Sequence, residues 1–427
     1  MRFFEYAIFV LAVLIQCGKS YGSQDAGGVC FKDGQCPGKE SPNRYIFFEI
    51  NPSEGFNLRR DVYRRFAVLA QQLAASDNPK LKNFKLVLAP WSHLYHWTYS
   101  YKAEMIPWSY FFDIPSLKSF SPVIEMHEFF QEQSNGLHEI LIDEVYVMQN
   151  WEEMMTTGYF VNKWQVVECE EEDEISYFYY TNVTSNNVKC LKFHGPSTYL
   201  TELLLKSRAN TILFTHAEVA LHPTFGDSLY WACRRSIRYN KDLVAVATYF
   251  RNSQLASTNK ADNIVVPERW QDEKPKNDAI GGPYLAVHMR RRDFFIGRPK
   301  ELPTIESVAG QIAHYLQKFG LSVVFLATDA EDEDVAALKH YLPKNVYLSR
   351  FIPEKRFVDH YKDGGTAIVD QMICSHARFF IGTAESTFTF RIFEDREILG
   401  FPSENTFNVL CVDESNCKKP SVWKIVY

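Results

Sequence analysis

The sequence predicts an α/β fold with two facing Rossmann-like domains and a cleft between them. Three observations support this prediction. Apolar strand-like runs alternate with helical patterns, the alternation occurs in both halves of the chain, and 427 residues are enough for two domains of ordinary size. The 46% hydrophobic and 15% aromatic residues are sufficient for sizeable cores.

The first half contains four apolar runs that fit buried strands: YIFFEI, FKLVLAP, EILIDEVYVM and TILFTH. After the first run, Val62, Phe66, Leu69 and Leu73 recur at helical spacing. This spacing predicts a helix from about Leu58 to Ala75. Strands that alternate with helices in this way favour a parallel sheet.

A polar stretch, RNSQLASTNKADN (residues 251–263), is predicted to be either a connection between the domains or an exposed loop. It separates a first domain at residues 23–255 from a second at residues 256–427. The second half continues with the strand-like runs PYLAVHM, SVVFLATDA, NVYLS and RFFIGT. Between the first two, Thr304 is predicted to cap a helix that Gly320 ends.

The chain begins with an apolar leader. Arg2 precedes an apolar run from Ala7 to Ile15, and the small residues Ser20 and Gly22 follow. This run is too short to span a bilayer comfortably and is typical of a secretory signal peptide, so we expect residues 1–22 to be removed. No later stretch reads as a membrane helix, and the mature chain is expected to be soluble in the secretory pathway.

Eight of the nine cysteines follow this leader, and an oxidising compartment makes disulfides their default state. Cys233 and Cys374 lie in helical patterns and are expected to stay free. The candidate pairs are Cys30–Cys36, Cys169–Cys190 and Cys411–Cys417. A zinc site is the alternative, although no Cys-X-X-Cys pair supports one. The sequon at Asn182, beside an acidic run, predicts a glycosylated surface insertion.

A net charge of −6 gives no general attraction to nucleic acid or to an anionic membrane, so any anion site must be built locally. One candidate is NPSEGFNLRRDVY, which begins at Asn51 between a strand and a helix. It holds the lone carboxylate of Glu54, and it places Arg59 and Arg60 where the helix dipole disfavours cations. Two arginines there fit an anion bound nearby. Structural ion pairs are the alternative.

A second candidate is GGPYLAVHMRRRDFF, in the second half. Strand alternation turns His288 and Arg290 to the same side, at the carboxyl end of the strand. Open α/β sheets bind ligands at that end. A basic surface patch paired with Asp293 is the alternative explanation.

A third candidate is RFFIGTAESTFTFRIF, where a strand leads through Ser386 and Thr387 into a helix. Hydroxyls and free N–H groups at a helix start can hold a diphosphate, although they can also serve as an ordinary N-cap. Asp370 lies upstream in the apolar run AIVDQMI and needs a partner, which is either a ligand N–H group or a neighbouring group of the chain.

Seven strings occur in an order that resembles the GDP-fucose protein O-fucosyltransferases, and within them the class that acts on thrombospondin type 1 repeats. The strings are NPSEGFNLRRDVY, PWSHLYHW, IPWSYFFDIPSL, GGPYLAVHMRRRDF, VFLATDA, YKDGGTAIVDQMICSHARFFIGT and STFTFRI. The resemblance extends from about Arg44 to Tyr427. It implies a GT-B type fold and an inverting transfer of fucose from GDP-fucose to a Ser or Thr hydroxyl of a folded repeat. It further implies an endoplasmic reticulum location and no cofactor, with no metal required.

The resemblance also implies roles for individual residues. Glu54 corresponds to the proposed catalytic base and Arg290 to the essential arginine, and Asp370 matches the acidic residue that recognises guanine. The remaining positions expected to bind GDP-fucose are Gly55, Phe56, Asn57, His288, Ser386, Thr387 and Phe388. Arg290 and helix N–H groups would stabilise the leaving diphosphate, while Glu54 would take the hydroxyl proton from the opposite side of the sugar.

Several alternatives stay open. The string Asp332-Glu333-Asp334 is of the DxD type that binds manganese in other glycosyltransferases, but these acids also suit a helix N-terminus. The acceptor could be an EGF-like repeat, or the chain could be a non-catalytic lumenal folding factor that binds repeats. The aromatic loops PWSHLYHW and IPWSYFFDIP are predicted to shape an acceptor groove in the first domain, with core packing as the alternative.

Overall fold

Two parallel sheets organise the chain in the computed structural model, which describes residues 43–94, 97, 105–133, 140–169, 180, 183–413, 417 and 419–427. Residues 43–427 form one compact unit. The predicted signal peptide, the Cys30–Cys36 pair and Asn182 lie outside the described residues.

The described strands come in two groups along the chain. The first group is β1 (Arg44–Phe48), β2 (Phe84–Leu88), β3 (Val123–Glu125), β4 (Ile140–Leu141), β5 (Glu144–Gln149), β6 (Lys163–Val167), β7 (Val183–Thr184), β8 (Val188–His194) and β9 (Thr211–Thr215). The second group is β10 (Gly282–Met289), β11 (Val323–Thr328), β12 (Tyr347–Ser349), β13 (Ala377–Thr383) and β14 (Val409–Leu410).

The helices cover these sheets and connect the parallel strands. In the first half they are α1 (Phe56–Ala74), α2 (Pro79–Lys82), α3 (Ile114–Lys118), α4 (Met126–Gln133), α5 (Glu152–Thr157), α6 (Thr201–Lys206), α7 (Ser228–Ser236) and α8 (Lys241–Leu255). In the second half they are α9 (Arg292–Gly297), α10 (Ile305–Phe319), α11 (Asp332–Tyr341), α12 (Lys355–Ser375) and α13 (Thr387–Leu399).

The first sheet has seven strands in the order β3-β2-β1-β9-β5-β8-β6, and the second has five in the order β12-β11-β10-β13-β14. Only β6 runs antiparallel to its neighbour among these described strands, whereas β4 and β7 form a separate small parallel pair. In the second sheet the chain moves outward from β10 and then returns to its other side with β13, as in a Rossmann fold. The same reversal occurs between β1 and β9 in the first sheet.

These two reversals matter because ligands of open α/β sheets bind beyond the carboxyl ends of the strands that flank them. In the first sheet, β1 leads into the loop that carries Glu54, and β9 leads into the turn that carries Glu218. In the second sheet, β10 ends just before Arg290, and β13 leads to Ser386. The topology therefore places the predicted site residues at both switch points.

Both ends of α10 lie where the sequence predicted them. The side chain of Thr304 accepts a hydrogen bond from the Ser307 N–H group at the start of α10, and Gly320 ends this helix with a φ of 62°. The prediction of a connection or an exposed loop at residues 251–263 is wrong in part. Arg251 is still within α8, and its buried guanidinium lies 2.9 Å from a carboxylate oxygen of Asp262. This buried ion pair stabilises the turn.

The aromatic loops of the first half belong to the core. Trp91, Trp97, Trp108, Phe111 and Phe112 are buried and pack in a single aromatic cluster. For these five side chains the alternative of core packing is correct, and the acceptor groove stays a prediction for the half-buried members of the two loops, such as Tyr110. The loop rings pack directly against aromatic side chains of α1, with ring centroids 4.7 Å apart for Trp91 and Phe56 and 4.8 Å apart for Trp108 and Tyr63.

Two of the predicted disulfides are present in the structure, joining Cys169 to Cys190 and Cys411 to Cys417. Cys233 in α7 and Cys374 in α12 are free and buried, as their helical surroundings predicted. Within the part of the chain that the structure describes, no helix is long and apolar enough to cross a membrane.

Candidate active site

The loop between β1 and α1 is stabilised by hydrogen bonds between its own polar groups. The side-chain oxygen of Asn51 accepts hydrogen bonds from the Ser53 N–H group at 2.9 Å and from the Ser53 hydroxyl at 2.7 Å. Gly55 follows as the N-cap of α1, and no side chain caps this helix. The first turn of α1 also contains no acidic residue. Its N–H groups and dipole are thus arranged to favour an anion.

Glu54 lies at the edge of this helix start and is half-buried. Burial raises the pKa of its carboxyl above the ordinary value, and the neighbouring carboxylate of Glu218 raises that pKa further. The positive charge of Arg59 acts in the opposite direction. A carboxylate with a raised pKa is a stronger proton acceptor, which is what a general base requires.

Arg59 and Arg60 serve mainly to hold the loop and the helix in place. Arg59 Nε donates to the backbone oxygen of Glu54 at 3.0 Å, and Arg59 Nη1 donates to that of Ser92 at 3.1 Å. Arg60 is buried, and its Nη1 donates to Gln371 Oε1 at 2.8 Å. Since Gln371 belongs to α12, Arg60 ties the helix that follows the Glu54 loop to the second half of the chain.

The side chains of Phe56 and Asn57 are both occupied by the protein. Phe56 is buried against Trp91, with ring centroids 4.7 Å apart. The Asn57 side-chain oxygen accepts from Gln371 Nε2 at 2.9 Å and from Arg60 Nη1 at 3.1 Å. The Phe56 ring and the Asn57 side-chain oxygen are therefore occupied by contacts within the protein.

At the second switch point, the structure brings His288 together with the start of α13. His288 is buried, and its Nδ1 lies 2.8 Å from the hydroxyl of Thr389. The imidazole stacks on the ring of Phe388 with centroids 4.3 Å apart. Burial and the nearby charge of Arg290 lower the pKa of His288 to about 3. The imidazole is therefore neutral at physiological pH and serves as a hydrogen-bonding and packing group.

Arg290 lies between two carboxylates. Its Nη2 is 2.7 Å from Asp293 Oδ1, and its Nη1 is 2.7 Å from Asp329 Oδ2. Its backbone N–H group donates to the hydroxyl of Thr383 at 2.9 Å, and that hydroxyl in turn donates to the backbone oxygen of His288. The predicted pairing with Asp293 is thus present, and a second carboxylate joins it. The guanidinium retains 20% exposure.

Asp370 has no partner for one of its oxygens. Within the described residues, Asp370 Oδ1 is buried and makes no hydrogen bond. Burial raises the pKa of this carboxyl well above its ordinary value, although the charge of Arg350 acts to lower it. A buried, unpaired carboxylate oxygen is costly unless a ligand donates to it.

Helix α13 begins without a capping side chain. Ser386 is its N-cap residue and Thr387 its first residue, yet neither makes a side-chain capping hydrogen bond, and the first turn has no acidic residue. Ordinary N-capping, the alternative explanation for these hydroxyls, is therefore absent here. Just before them, Glu385 adopts a φ of 56°, a left-handed conformation unusual for this residue type. The turn leaves the N–H groups of α13 available to an anion.

The family model of the GDP-fucose protein O-fucosyltransferases matches residues 45–399 of the chain. The chain belongs to this family. It is 42% identical over 400 residues to GDP-fucose protein O-fucosyltransferase 2 of Caenorhabditis elegans, covering 90% of each chain. The identity to the protein of the same name from Homo sapiens is 41% over 404 residues, covering 91% of each. The Drosophila melanogaster relative is 36% identical, with 90% of this chain and 82% of that one covered.

Solved structures show the same fold. The crystal structure of POFUT1 in complex with GDP-fucose matches with a TM-score of 0.55 at 17% identity, covering 87% of this chain and 98% of that one. POFUT1 in complex with GDP matches with a TM-score of 0.53 at 17% identity, with 87% and 99% covered. The fold is of the GT-B type, and the protein is a fucosyltransferase.

A cleft of the fucosyltransferase with a volume of about 990 Å³ borders the predicted site. Its walls include Leu58 and Arg65 of α1, Thr387 of α13, the turn at Arg298, and Trp423 near the carboxyl end. Of the predicted donor-site residues, only Thr387 lines it. The cleft therefore adjoins the donor site at the start of α13 instead of containing it.

The acidic string at residues 332–334 begins a helix in this fucosyltransferase. Asp332, Glu333 and Asp334 form the first turn of α11, where carboxylates stabilise the helix dipole. Asp334 also pairs with Arg291 Nε at 3.2 Å. Among the described residues, no three His, Cys, Asp or Glu side chains are grouped as a metal site would require.

Sequence reasoning missed the groups that connect the two halves and those that hold Arg290. Arg64 of α1 lies 2.8 Å from Glu394 of α13, 330 residues later, and no local pattern marks this pair. Asp329 did carry a signal, because it directly follows β11, the neighbour of β10 in the sheet. Polar residues at adjacent strand ends meet at the same sheet edge. Thr383 carried the same signal at the end of β13.

Proposed function

We propose that this fucosyltransferase transfers fucose from GDP-fucose to a Ser or Thr hydroxyl of folded thrombospondin type 1 repeats, with inversion at the anomeric carbon and without a metal. The observation that carries the proposal is the arrangement at the two switch points. The first switch point has the uncapped start of α1 and Glu54, and the second has the uncapped start of α13 and Arg290. The relatives that are 36–42% identical are named GDP-fucose protein O-fucosyltransferase 2, which supports GDP-fucose as the donor and a protein as the acceptor.

The donor would bind with its diphosphate at Arg290 and at the helix starts of α1 and α13. Backbone groups of Gly55, Phe56 and Asn57 and the hydroxyls of Ser386 and Thr387 would approach it, with Phe388 and His288 beside them. The unpaired oxygen of Asp370 would accept from the amide and amino N–H groups of guanine. In this arrangement Asp370 Oδ1 and the two uncapped helix starts each have a partner in the nucleotide.

The chemistry follows from these charges. The acceptor oxygen forms a bond to C1 of fucose as the bond from C1 to the β-phosphate oxygen breaks, and GDP leaves with the electron pair. Glu54 takes the hydroxyl proton, and its raised pKa makes it a better acceptor for that proton. Arg290 stabilises the charge that grows on the β-phosphate. Attack opposite to GDP inverts the anomeric centre.

The proposal assigns the electrostatic role of a metal to Arg290 and the two helix starts. The DxD-like acids are already engaged in starting α11 and in pairing with Arg291. We therefore expect transfer to persist in EDTA. Loss of transfer in EDTA with recovery in manganese would contradict this part of the proposal.

The acceptor would lie in the cleft of about 990 Å³ rather than against the buried rings of the aromatic loops. A rigid, disulfide-bonded repeat has already lost the conformational entropy that a linear peptide must lose on binding. We therefore expect a strong preference for the folded acceptor. In the domain division that we propose, residues 23–255 supply the base and residues 256–427 most of the nucleotide site, in an enzyme of the endoplasmic reticulum lumen.

The test is to incubate the purified protein with GDP-fucose and one of three acceptors: a folded thrombospondin type 1 repeat, a folded EGF-like repeat, or the reduced form of the first. Mass spectrometry then identifies the modified residue. Transfer to the folded thrombospondin repeat supports the proposal, whereas preference for the EGF-like repeat would move the enzyme to the alternative acceptor class. Binding of a repeat without transfer of fucose to any of the three acceptors would favour the non-catalytic folding factor.

A further inference from the structure

Asp329 is held in place from two directions at the end of β11. Its Oδ1 accepts a hydrogen bond from the Arg291 N–H group at 2.7 Å, and its Oδ2 lies 2.7 Å from Arg290 Nη1. The preceding residue, Thr328, donates its hydroxyl hydrogen bond to the backbone oxygen of Met289 at 2.6 Å. The carboxylate of Asp329 is therefore fixed relative to the strand that carries Arg290.

The second carboxylate on Arg290 is held less firmly. Asp293 lies on the short helix α9, and its side chain is 35% exposed, compared with 18% for Asp329. Burial raises the pKa of Asp329, although Arg290 and the backbone hydrogen bond from Arg291 act against this. Asp329 is half-buried, and its Oδ1 is fixed by the Arg291 N–H group. Its Oδ2 makes no hydrogen bond in the described structure and attracts Arg290 as an ion pair, so the fixed position of this carboxylate limits where the guanidinium lies.

We propose that Asp329 is a positioning residue for fucose transfer, which holds the guanidinium of Arg290 in the orientation that stabilises the leaving diphosphate. This inference rests on the proposed role of Arg290. Asp329 would act through Arg290 without contacting the donor. Small misplacements of a catalytic group cost up to about a hundredfold in rate.

Substituting Asp329 separates orientation from charge. In Asp329→Asn, the side chain keeps its shape but the local negative charge is lost, so Arg290 attracts the diphosphate at least as strongly as before. We expect kcat to fall by roughly ten- to a hundredfold, while GDP binding is not weakened. If Asp329 contacted the donor, Asp329→Asn would lower both kcat and GDP affinity. If Asp329 only supported the fold, the substitution would lower the thermal midpoint of unfolding.

The matched control is Asp334→Asn, which removes the carboxylate from Arg291, the next arginine in the chain. This variant should leave kcat and GDP affinity within about twofold of the wild-type values, as expected for a partly exposed ion pair. Asp329→Glu is a second test if Asp329→Asn folds poorly, because it keeps the charge and displaces the carboxylate by one methylene. It should lower kcat with GDP affinity unchanged.

A double-mutant cycle completes the test. In an Arg290→Lys background, Asp329→Asn should have little further effect on kcat, because the group through which it acts has already been replaced. A wild-type kcat in Asp329→Asn, a parallel loss of GDP binding, or full additivity with Arg290→Lys would each overturn the inference. Absence of transfer by the wild-type protein would instead overturn the proposed function.

Discussion

Two polar regions of the fucosyltransferase lie close together, but the protein satisfies them very differently. The first is the interface cluster, which consists of Arg64, Tyr230, Arg234, Arg391 and Glu394. In it, both carboxylate oxygens of Glu394 have protein partners: Arg64 and the Tyr230 hydroxyl at one, and Arg234 and Arg391 at the other. The second is the candidate donor site, where Asp370 Oδ1 has no partner in the described structure and two helices begin without capping side chains.

The difference separates polar groups that the fold itself satisfies from those to which our proposal assigns a ligand. The burial of Glu394 opposes its ionisation, but Arg391, Arg64 and Arg234 outweigh that cost and hold its pKa below the ordinary value. Burial of Asp370 raises its pKa instead, because only Arg350 acts in the opposite direction. An interface carboxylate is thus stabilised as an anion by the chain alone, whereas the site carboxylate lacks donors that a purine could supply.

The largest effect is expected at the donor site, from Glu54→Ala. This change removes the proposed proton acceptor, so transfer should fall roughly a hundredfold to ten-thousandfold while GDP binding persists. Initial rates and calorimetric GDP titration measure the two quantities. Glu152→Ala, an exposed carboxylate in the first turn of α5, is the control and should transfer normally. Near-normal transfer by folded Glu54→Ala would remove the base from the mechanism.

The next effect is expected in the interface cluster. Glu394→Gln leaves three buried arginines without their shared carboxylate, which should lower the free energy of unfolding by about 3–5 kcal/mol. The control is Glu128→Gln, whose pair with Lys118 is partly exposed and should contribute about 0–1 kcal/mol. Chemical denaturation measures both. Equal effects of the two substitutions would show that the cluster does not stabilise the interface.

The pH dependence of stability tests whether Glu394 is ionised in the interface cluster. The folded pKa of Glu394 is depressed, so its contribution is present above the pKa of an unfolded glutamate and is lost as pH falls toward the folded pKa. The stability difference between wild type and Glu394→Gln should therefore narrow in acid. A difference that widens in acid would mean that Glu394 is not ionised in the cluster.

The contrast between these regions also explains how far the sequence could predict the molecule. Features that depend on neighbours in the chain were predictable: Thr304 and Gly320 bound α10, and alternation along β10 aligns His288 with Arg290. The alternation of strands and helices indicated the parallel sheets, and topology then placed strand ends at the switch points.

Features that depend on contacts between the halves were not predictable from local patterns. Arg60 read as an anion ligand because it lies at a helix start, yet it is buried against Gln371, 311 residues later. Trp91 and Trp108 read as acceptor contacts because loops rich in proline and aromatics are often exposed, yet both pack in the core. Periodicity describes which face of an element is apolar, but it does not identify the element that covers that face.

A smaller effect is expected at Asp370, and it tests whether the unpaired oxygen is meant for a ligand. Asp370→Asn should weaken GDP binding by roughly ten- to a hundredfold, since hydrogen bonds to a charged group contribute about 1.5–3 kcal/mol. Because burial raises the pKa of Asp370, wild-type GDP affinity should increase with pH as the carboxyl ionises. Asp370→Asn should abolish that increase. Titrations over a pH series would reveal both, and a pH-independent wild type would contradict the assignment.

The smallest expected effect concerns Glu218, which lies at the first switch point beside the proposed base. Its Oε2 accepts from the Asn51 N–H group at 3.3 Å, and its Oε1 lies 3.4 Å from His216 Nδ1. Burial is the main cause of the raised pKa of Glu54, the charge of Glu218 adds to it, and Arg59 opposes it. Glu218→Gln keeps an acceptor for Asn51 and removes the charge.

A base acts only when it is deprotonated, so kcat/KM should fall as pH decreases through the pKa of Glu54. Glu218→Gln lowers that pKa, and the acidic limb of the profile should move to lower pH while the plateau stays unchanged. Glu218→Asp keeps the charge near the loop and should move the limb less. A limb that moves to higher pH, or a lower plateau without any shift, would mean that Glu218 supports the loop through Asn51 and does not tune the base. The raised pKa of Glu54 would then follow from its burial alone.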